Sequence, residues 1–167
     1  MNLDVLKSEP GAEPVVVEAI FRATADRLYQ AWTDPDELLQ WFGKGDPSLA
    51  TADIDLRVGG QWRFAFGERE GRQDALRGEY LAIEQGRRLV FSWIHERTFA
   101  DGNVEASAQS QVSVTFEPRS DGTFVRLVHE AIVERDSRLG VGRGWTQSFA
   151  RLFAVFGGTS GSGEATA

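Results

Sequence analysis

Residues 138–156 read RLGVGRGWTQSFARLFAVF, and this stretch decides the fold class. Large apolar side chains recur at intervals of three or four residues, which places them on one face of an α-helix. The residues of this stripe are Val141, Trp145, Phe149, Leu152 and Phe156. Gly140, Gly142 and Gly144 are poor helix formers, so either the helix starts late or the glycines let another group approach closely. We predict one long helix from about residue 138 to residue 156.

The sequence before this helix alternates with a period of two, which is typical of β-strands. Trp62, Phe64 and Phe66 fall on one face of such a strand, and Ser120-Asp121-Gly122 indicates a hairpin turn further along. From about residue 50 to residue 132 we therefore predict about six antiparallel strands.

The N-terminal part adds a strand and two short helices. Val15–Phe21 is apolar and rich in β-branched residues, as strands are. Thr24 and Asp34 are both residues that cap helix N-termini, and Pro35 suits a first helical position. Strands closed by a terminal helix predict an α+β fold. We predict a single domain over residues 14–156, a flexible N-terminus over 1–13 and a disordered Gly/Ser tail over 157–167.

Composition excludes several classes of function. The chain of 167 residues has a formal net charge of −7, which disfavours nucleic acid as a partner. It contains no cysteine, so disulfides and zinc–thiolate sites are excluded. Its polar N-terminus is unlike a signal peptide, and no apolar run is long enough to insert into a membrane. We expect a cytoplasmic protein.

Several short motifs, in this order along the chain, resemble a known family. It is the START-like (SRPBCC) superfamily of the birch-pollen allergen and polyketide cyclases, in the bacterial branch related to the activator of the heat-shock-protein-90 ATPase. The matching motifs are Ala31-Trp32-Thr33-Asp34-Pro35, Trp41-Phe42-Gly43, Asp55-Leu56-Arg57-Val58-Gly59-Gly60 with Trp62, Arg88-Leu89-Val90-Phe91-Ser92-Trp93, Leu127-Val128-His129-Glu130 and Gly144-Trp145. The resemblance implies a helix-grip fold, in which a curved sheet of about six or seven strands wraps the long helix around a cavity. It also implies a link to the stress response.

The aromatic faces of the strands and the helix meet in such a fold, and they predict a binding site. Large apolar surfaces with a few polar anchors are typical of small-molecule pockets; the alternative is that these side chains fill the interior. The candidate ligand-binding residues are Trp62, Phe64, Tyr80, Phe91, Trp93, His95, His129, Trp145, Phe149 and Phe153.

The two histidines are the candidate catalytic residues. His95 shares a strand face with Phe91 and Trp93, and His129 shares one with Val125 and Leu127. Either can titrate near neutral pH and act as an acid or a base, and either can equally be a structural histidine. With two histidines and no cysteine we expect no metal site, and no cofactor motif is present.

Three functions remain open at this point. The first is binding or carriage of a hydrophobic small molecule or lipid in the cavity. The second is an enzyme of the polyketide cyclase or dehydratase kind that uses a cavity histidine. The third is a chaperone-interaction module, which the resemblance suggests although the eukaryotic activator has a further domain. A homodimer also remains open.

Overall fold

A curved antiparallel sheet encloses the long C-terminal helix. The computed structural model describes residues 7–42, 45 and 47–159. Its elements are β1 Val15–Phe21, α1 Ala25–Thr33, α2 Pro35–Trp41, β2 Leu49–Ile54, β3 Gln61–Phe66, β4 Arg72–Glu84, β5 Arg88–Phe99, β6 Val104–Ala106, β7 Ser110–Arg119, β8 Gly122–Glu130, α3 Arg135–Phe156 and β9 Gly158–Thr159. The predicted α+β helix-grip fold is confirmed.

The sheet order is β2-β3-β4-β5-β7-β8-β1-β9, and β6 pairs with β5 outside this path. The six or seven predicted strands correspond to the seven strands of six or more residues, which are β1 to β5, β7 and β8. The additional strands β6 and β9 have three and two residues, too few to show an alternating pattern. In the described chain β4 and β5 are the longest pair, with 13 and 12 residues, and they form the middle of the sheet.

Both short helices have the predicted caps. The Thr24 side chain accepts a hydrogen bond from the Arg27 amide at the start of α1. The Asp34 side chain accepts one from the Asp36 amide, and Pro35 occupies the first turn of α2. These caps satisfy backbone donors that a helix N-terminus leaves free, and they fix where each helix begins. The two helices follow each other directly between β1 and β2.

The long helix begins earlier than the stripe of apolar residues predicted. It starts at Arg135 instead of Arg138, and the three glycines lie inside it. The extra turn consists of exposed polar residues, which apolar periodicity cannot reveal. The Arg138 guanidinium donates to the carbonyls of Gly11, Ile132 and Val133, and these bonds join the helix start to the N-terminal segment.

The chain ends make contacts with the domain as far as they are described. Near the N-terminus, the Lys7 amide donates to the Val16 carbonyl at 3.0 Å. At the other end, Gly158 and Thr159 pair with Phe21 and Ile20 of β1, so the structure differs from the predicted tail at its start. Residues 1–6 and 160–167, on which the rest of these two predictions falls, lie outside the described residues.

The core lies between the concave face of the sheet and the three helices. Val112 and Val114 of β7 and Leu127 of β8 are fully buried, as is Phe149 of α3. The inward residues of the strands alternate with half-buried or exposed ones. Among the residues that the structure describes, no helix has the length and apolar character needed to cross a membrane.

Candidate functional site

A small cavity lies where the helices meet the middle of the sheet. Its volume is about 20 Å³, which is room for about one water molecule. We call the residues around it the cavity wall: Trp32, Leu38, Trp41, Phe42, Trp62, Phe64, Tyr80, Leu89, Phe91, Trp93 and Trp145. No member of the cavity wall is charged, and eight of the eleven are Trp or Phe, contributed by the sheet and by the helical segments.

Trp145 of α3 is the centre of this wall. Its ring lies 5.8 Å from the ring of Trp32, almost parallel to it, and 5.4 Å from the ring of Trp93. The Phe42 ring is also 5.8 Å away. Such separations are those of favourable aromatic pairs, so α1, α2, β5 and α3 are joined through one indole.

Two members of the cavity wall reach the protein surface. Nine of the eleven are buried, whereas Phe42 and Trp93 are partly exposed. Both contact Trp145 and they belong to different elements, since Phe42 follows α2 and Trp93 lies on β5. We call this pair the entrance, because these two side chains are the members of the cavity wall that contact solvent.

The indole N–H groups of the cavity wall differ in their partners. Trp41 donates to the Ala31 carbonyl at 2.9 Å, and Trp145 donates to His129 Nδ1 at 3.1 Å. The buried Nε1 atoms of Trp32 and Trp62 have no hydrogen-bond partner within the described part of the chain. Buried donors of this kind are uncommon in folded proteins.

His129 lies behind the cavity wall. Its Nδ1 accepts the hydrogen bond from Trp145, so in the neutral ring the proton is on Nε2, which lies 2.8 Å from Ser110 Oγ. The Ser110 hydroxyl in turn donates to the Trp93 carbonyl at 3.4 Å. Burial lowers the pKa of His129 to about 3. Both ring nitrogens are engaged, and the ring holds Trp145 and Trp93 in place.

His95 lies nearer the surface, beyond Trp93 on the same strand. Its Nε2 is 3.6 Å from Asp74 Oδ1 on β4. Burial, and next the positive charge of Arg97, lower the pKa of His95. Asp74 also accepts two hydrogen bonds from Arg72; burial raises its pKa, but Arg72 and His95 outweigh this and the pKa is lowered. His95 is therefore a neutral imidazole at pH 7, oriented by a carboxylate.

The structure brings six of the ten predicted ligand-binding residues to the cavity: Trp62, Phe64, Tyr80, Phe91, Trp93 and Trp145. Phe149 and Phe153 instead pack against Phe21 of β1, and the two histidines are outside the wall. The aromatic faces of the sheet and the helix do meet in one interior, but only about 20 Å³ is left between them, so these side chains nearly fill it, as the alternative expected. Ligand binding by these residues stays a prediction.

Sequence reasoning missed the contribution of α1 and α2. The five residues of the cavity wall that were not predicted are Trp32, Leu38, Trp41, Phe42 and Leu89. Trp32 and the Trp41-Phe42 pair were visible as large aromatics on two adjacent short helices. Their orientation toward the sheet depends on how the helix pair folds back, which local periodicity does not show.

A larger groove lies on the far side of α3. It has a volume of about 360 Å³ between the N-terminal segment and the first half of the helix. Its lining includes the polar residues Glu9, Arg143, Thr146 and Gln147, but most of the lining surface is apolar, with Pro10, Val15 and Leu139 among the contributors. Within residues 7–42, 45 and 47–159, no group of three or more metal-ligating side chains is present.

Comparisons with known proteins agree with this geometry. The model of the family described as Activator of Hsp90 ATPase homolog 1-like protein matches residues 22–157. The structure of protein Ms6760 from Mycobacterium smegmatis is 22% identical with a TM-score of 0.69, and the match covers 92% of this chain and 97% of that chain. For protein CV1439 from Chromobacterium violaceum the identity is 24%, the TM-score 0.68 and the coverage 87% and 99%.

A protein from Arthrobacter aurescens, solved by NMR, has a TM-score of 0.71 at 18% identity, with coverage of 92% and 91%. At these identities the structural likeness shows the fold alone. A search of the curated proteins gave no match.

Proposed function

Because this chain belongs to the Activator of Hsp90 ATPase homolog 1-like family, within the START-like superfamily, we propose that it binds a hydrophobic small molecule between the sheet and α3. One observation carries the proposal: a small cavity whose wall is apolar or aromatic throughout and comes from both the sheet and the helices. Pockets that are mostly apolar, with few polar groups, are the usual form of small-molecule sites.

The size of the cavity implies that binding moves the wall. Ligand pockets usually measure roughly 300–1,000 Å³, far more than the 20 Å³ present here. The entrance residues Phe42 and Trp93 are the members of the wall that are least buried. We infer that their rings turn outward when the ligand enters, while the buried residues of β3–β5 stay in place.

A fluorescence titration tests this proposal. N-phenyl-1-naphthylamine is a neutral apolar probe whose emission rises in dry sites, and we expect a saturable rise with a stoichiometry of one. Phe42→Ala widens the entrance and should raise the association rate severalfold. Phe124→Ala is the matched control, because Phe124 is also partly buried but lies on β8, against Arg119 and away from the cavity.

Two results would contradict the proposal. One is the absence of saturable binding by N-phenyl-1-naphthylamine and by a set of lipids and polycyclic compounds. The other is binding whose rate changes equally in Phe42→Ala and Phe124→Ala, because the probe would then enter by another route or bind elsewhere.

A second candidate function is catalysis by His95. The observation that favours it is the Asp74 carboxylate, 3.6 Å from His95 Nε2, beside the entrance residue Trp93. A carboxylate on one ring nitrogen fixes the tautomer and leaves Nδ1 free to accept a proton. The ring is neutral at pH 7, as a general base requires.

Hydrolysis of 1-naphthyl acetate tests this candidate. A general base contributes about a hundredfold or more to a rate, so His95→Gln should lower kcat by that order while the affinity for N-phenyl-1-naphthylamine stays constant. Asp74→Asn should shift the pH profile of the remaining rate. Hydrolysis no faster than in buffer, or a rate unchanged in His95→Gln, argues against the catalytic role.

A further inference from the structure

We propose that the ligand is an uncharged molecule with a hydrogen-bond-accepting oxygen, which the indole N–H groups of Trp32 and Trp62 hold inside the cavity. This inference rests on the proposed function and adds to it the chemical class of the ligand. An aromatic ketone or a quinone has the required features: a planar apolar body and a carbonyl oxygen.

The two donors are the first argument. Trp32 and Trp62 are 6% and 3% exposed, and their Nε1 atoms have no partner among the described residues. Leaving a buried donor without an acceptor costs about 1–3 kcal/mol. The other two buried indoles of the wall, Trp41 and Trp145, are satisfied by protein acceptors. Two of the four buried indoles, Trp32 and Trp62, therefore carry the cost of an unpaired N–H group. A ligand that supplies a hydrogen-bond acceptor removes this cost.

The position of the donors is the second argument. Trp32 lies on α1 and Trp62 on β3, and both line the cavity. Gly78 lies opposite Trp62 in the pairing of β3 with β4, and a Cβ at this glycine would come within 2.7 Å of Trp62 Nε1. The N–H edge of the Trp62 indole thus lies beside the backbone of Gly78, where a glycine alone leaves space for it, and a carbonyl oxygen of the ligand has to reach it there.

The charge of the wall is the third argument. The eleven lining residues include neither arginine, lysine nor histidine, so an ionised carboxylate would lose its hydration without gaining a cation. Burial raises the pKa of Tyr80, which keeps this phenol protonated as well. A neutral oxygen forms the same hydrogen bonds with the indoles at a far smaller desolvation cost.

Nitrogen-15 NMR of the full chain tests the inference with three compounds that share one ring skeleton: indane, 1-indanone and indane-1-carboxylate. The five tryptophans each give one indole N–H signal, and Trp32→Phe and Trp62→Phe assign two of them while keeping an aromatic ring. We expect 1-indanone, but not indane, to move these two signals downfield. The indole signals of Trp41 and Trp145 are internal controls because their protons are already bonded.

We also expect 1-indanone to bind more tightly than indane by about two- to tenfold, the usual worth of one hydrogen bond. The ratio of the affinities for 1-indanone and indane should fall toward one in Trp32→Phe or Trp62→Phe. Circular dichroism checks that both variants are folded. The carboxylate should bind more weakly than either compound.

The outcomes separate this inference from the proposed function. Equal binding of indane and 1-indanone, with equal indole shifts, overturns the acceptor while leaving an apolar site; a single water bonded to both indoles would give this result. Tightest binding of the carboxylate overturns the uncharged class. If none of the three compounds perturbs any tryptophan signal, the proposed function and this inference fall together.

Discussion

His129 is fully buried, and both nitrogens of its ring form hydrogen bonds. Trp145 donates to Nδ1 and the protonated Nε2 faces the Ser110 hydroxyl. A second proton would have to go to Nδ1, where it would remove the acceptor of the Trp145 bond and leave a charge without water. The side chain therefore positions the aromatic wall, and its chemistry reaches the cavity only through Trp145 and Trp93.

We therefore expect the free energy of unfolding to decrease as the pH is lowered, because protonation of His129 is disfavoured in the folded protein. The pKa of His129 is about 3 in the folded protein against 6.5 in the unfolded chain, so the unfolded chain binds the proton first. Above pH 6.5 the histidine is neutral in both states and causes no loss of stability. Below pH 6.5 the free energy of unfolding decreases by about 1.4 kcal/mol per pH unit, until the pH reaches the pKa of the folded protein. Urea unfolding between pH 7 and about pH 5.5 measures the slope, above the range where Asp74 and Glu96, whose pKa values are lowered in the folded protein, titrate in the unfolded chain.

His129→Gln should reduce this slope, because an amide can still accept from Trp145 but does not titrate. His95→Gln is the matched control; His95 has the same direction of shift but is partly exposed, so its effect on the slope should be smaller. An unchanged slope in His129→Gln would show that the ring is protonated in the folded protein.

The helix α3 is the element that sequence propensity describes least well. Gly140 and Gly144 lie on its exposed side, and Gly144 has no atom within 4 Å of the place where a Cβ would stand. Gly142 is buried. The helix thus forms despite its glycines, because packing of Trp145, Phe149 and Leu152 outweighs their cost.

Gly144→Ala should therefore stabilise the protein by about 0.5–1 kcal/mol, since it restricts the unfolded chain and meets no steric obstacle. Gly78→Ala is the contrasting variant: its Cβ would overlap the Ser92 carbonyl oxygen, and we expect a loss of about 1–3 kcal/mol. Thermal unfolding of both variants checks the pair. A destabilised Gly144→Ala would show that a partner approaches this face of α3.

Over the residues that the structure describes, the nine-stranded sheet and the three helices pack around an apolar interior. The helical segments meet the sheet through the rings around Trp145. The ligand entry proposed above would separate some of these rings, and binding would then be coupled to the packing of the domain. The cytoplasmic location, the link to the stress response, the homodimer and a chaperone partner stay predictions.

A ligand that binds only the folded protein should raise the melting temperature. At a free concentration of 100 times Kd the gain is about 2.7 kcal/mol, or roughly 5–10 °C for a domain of this size. Differential scanning calorimetry with N-phenyl-1-naphthylamine measures the shift, and Phe124→Ala should retain it. An unchanged melting temperature at saturation would mean that the probe binds the unfolded chain equally well.

The sequence by itself determined the fold class, both helix caps and most of the aromatic wall, because these depend on local patterns: period two, period 3.6 and capping residues. It left the early start of α3 and strands β6 and β9 undetected, since exposed or very short segments have no such pattern. Three features follow from the packing of the folded chain: Trp32 and Phe42 join the cavity wall, His129 lies behind it, and about 20 Å³ remains inside. Those features depend on the distances between side chains far apart in the chain, which are set by how helices and sheet pack.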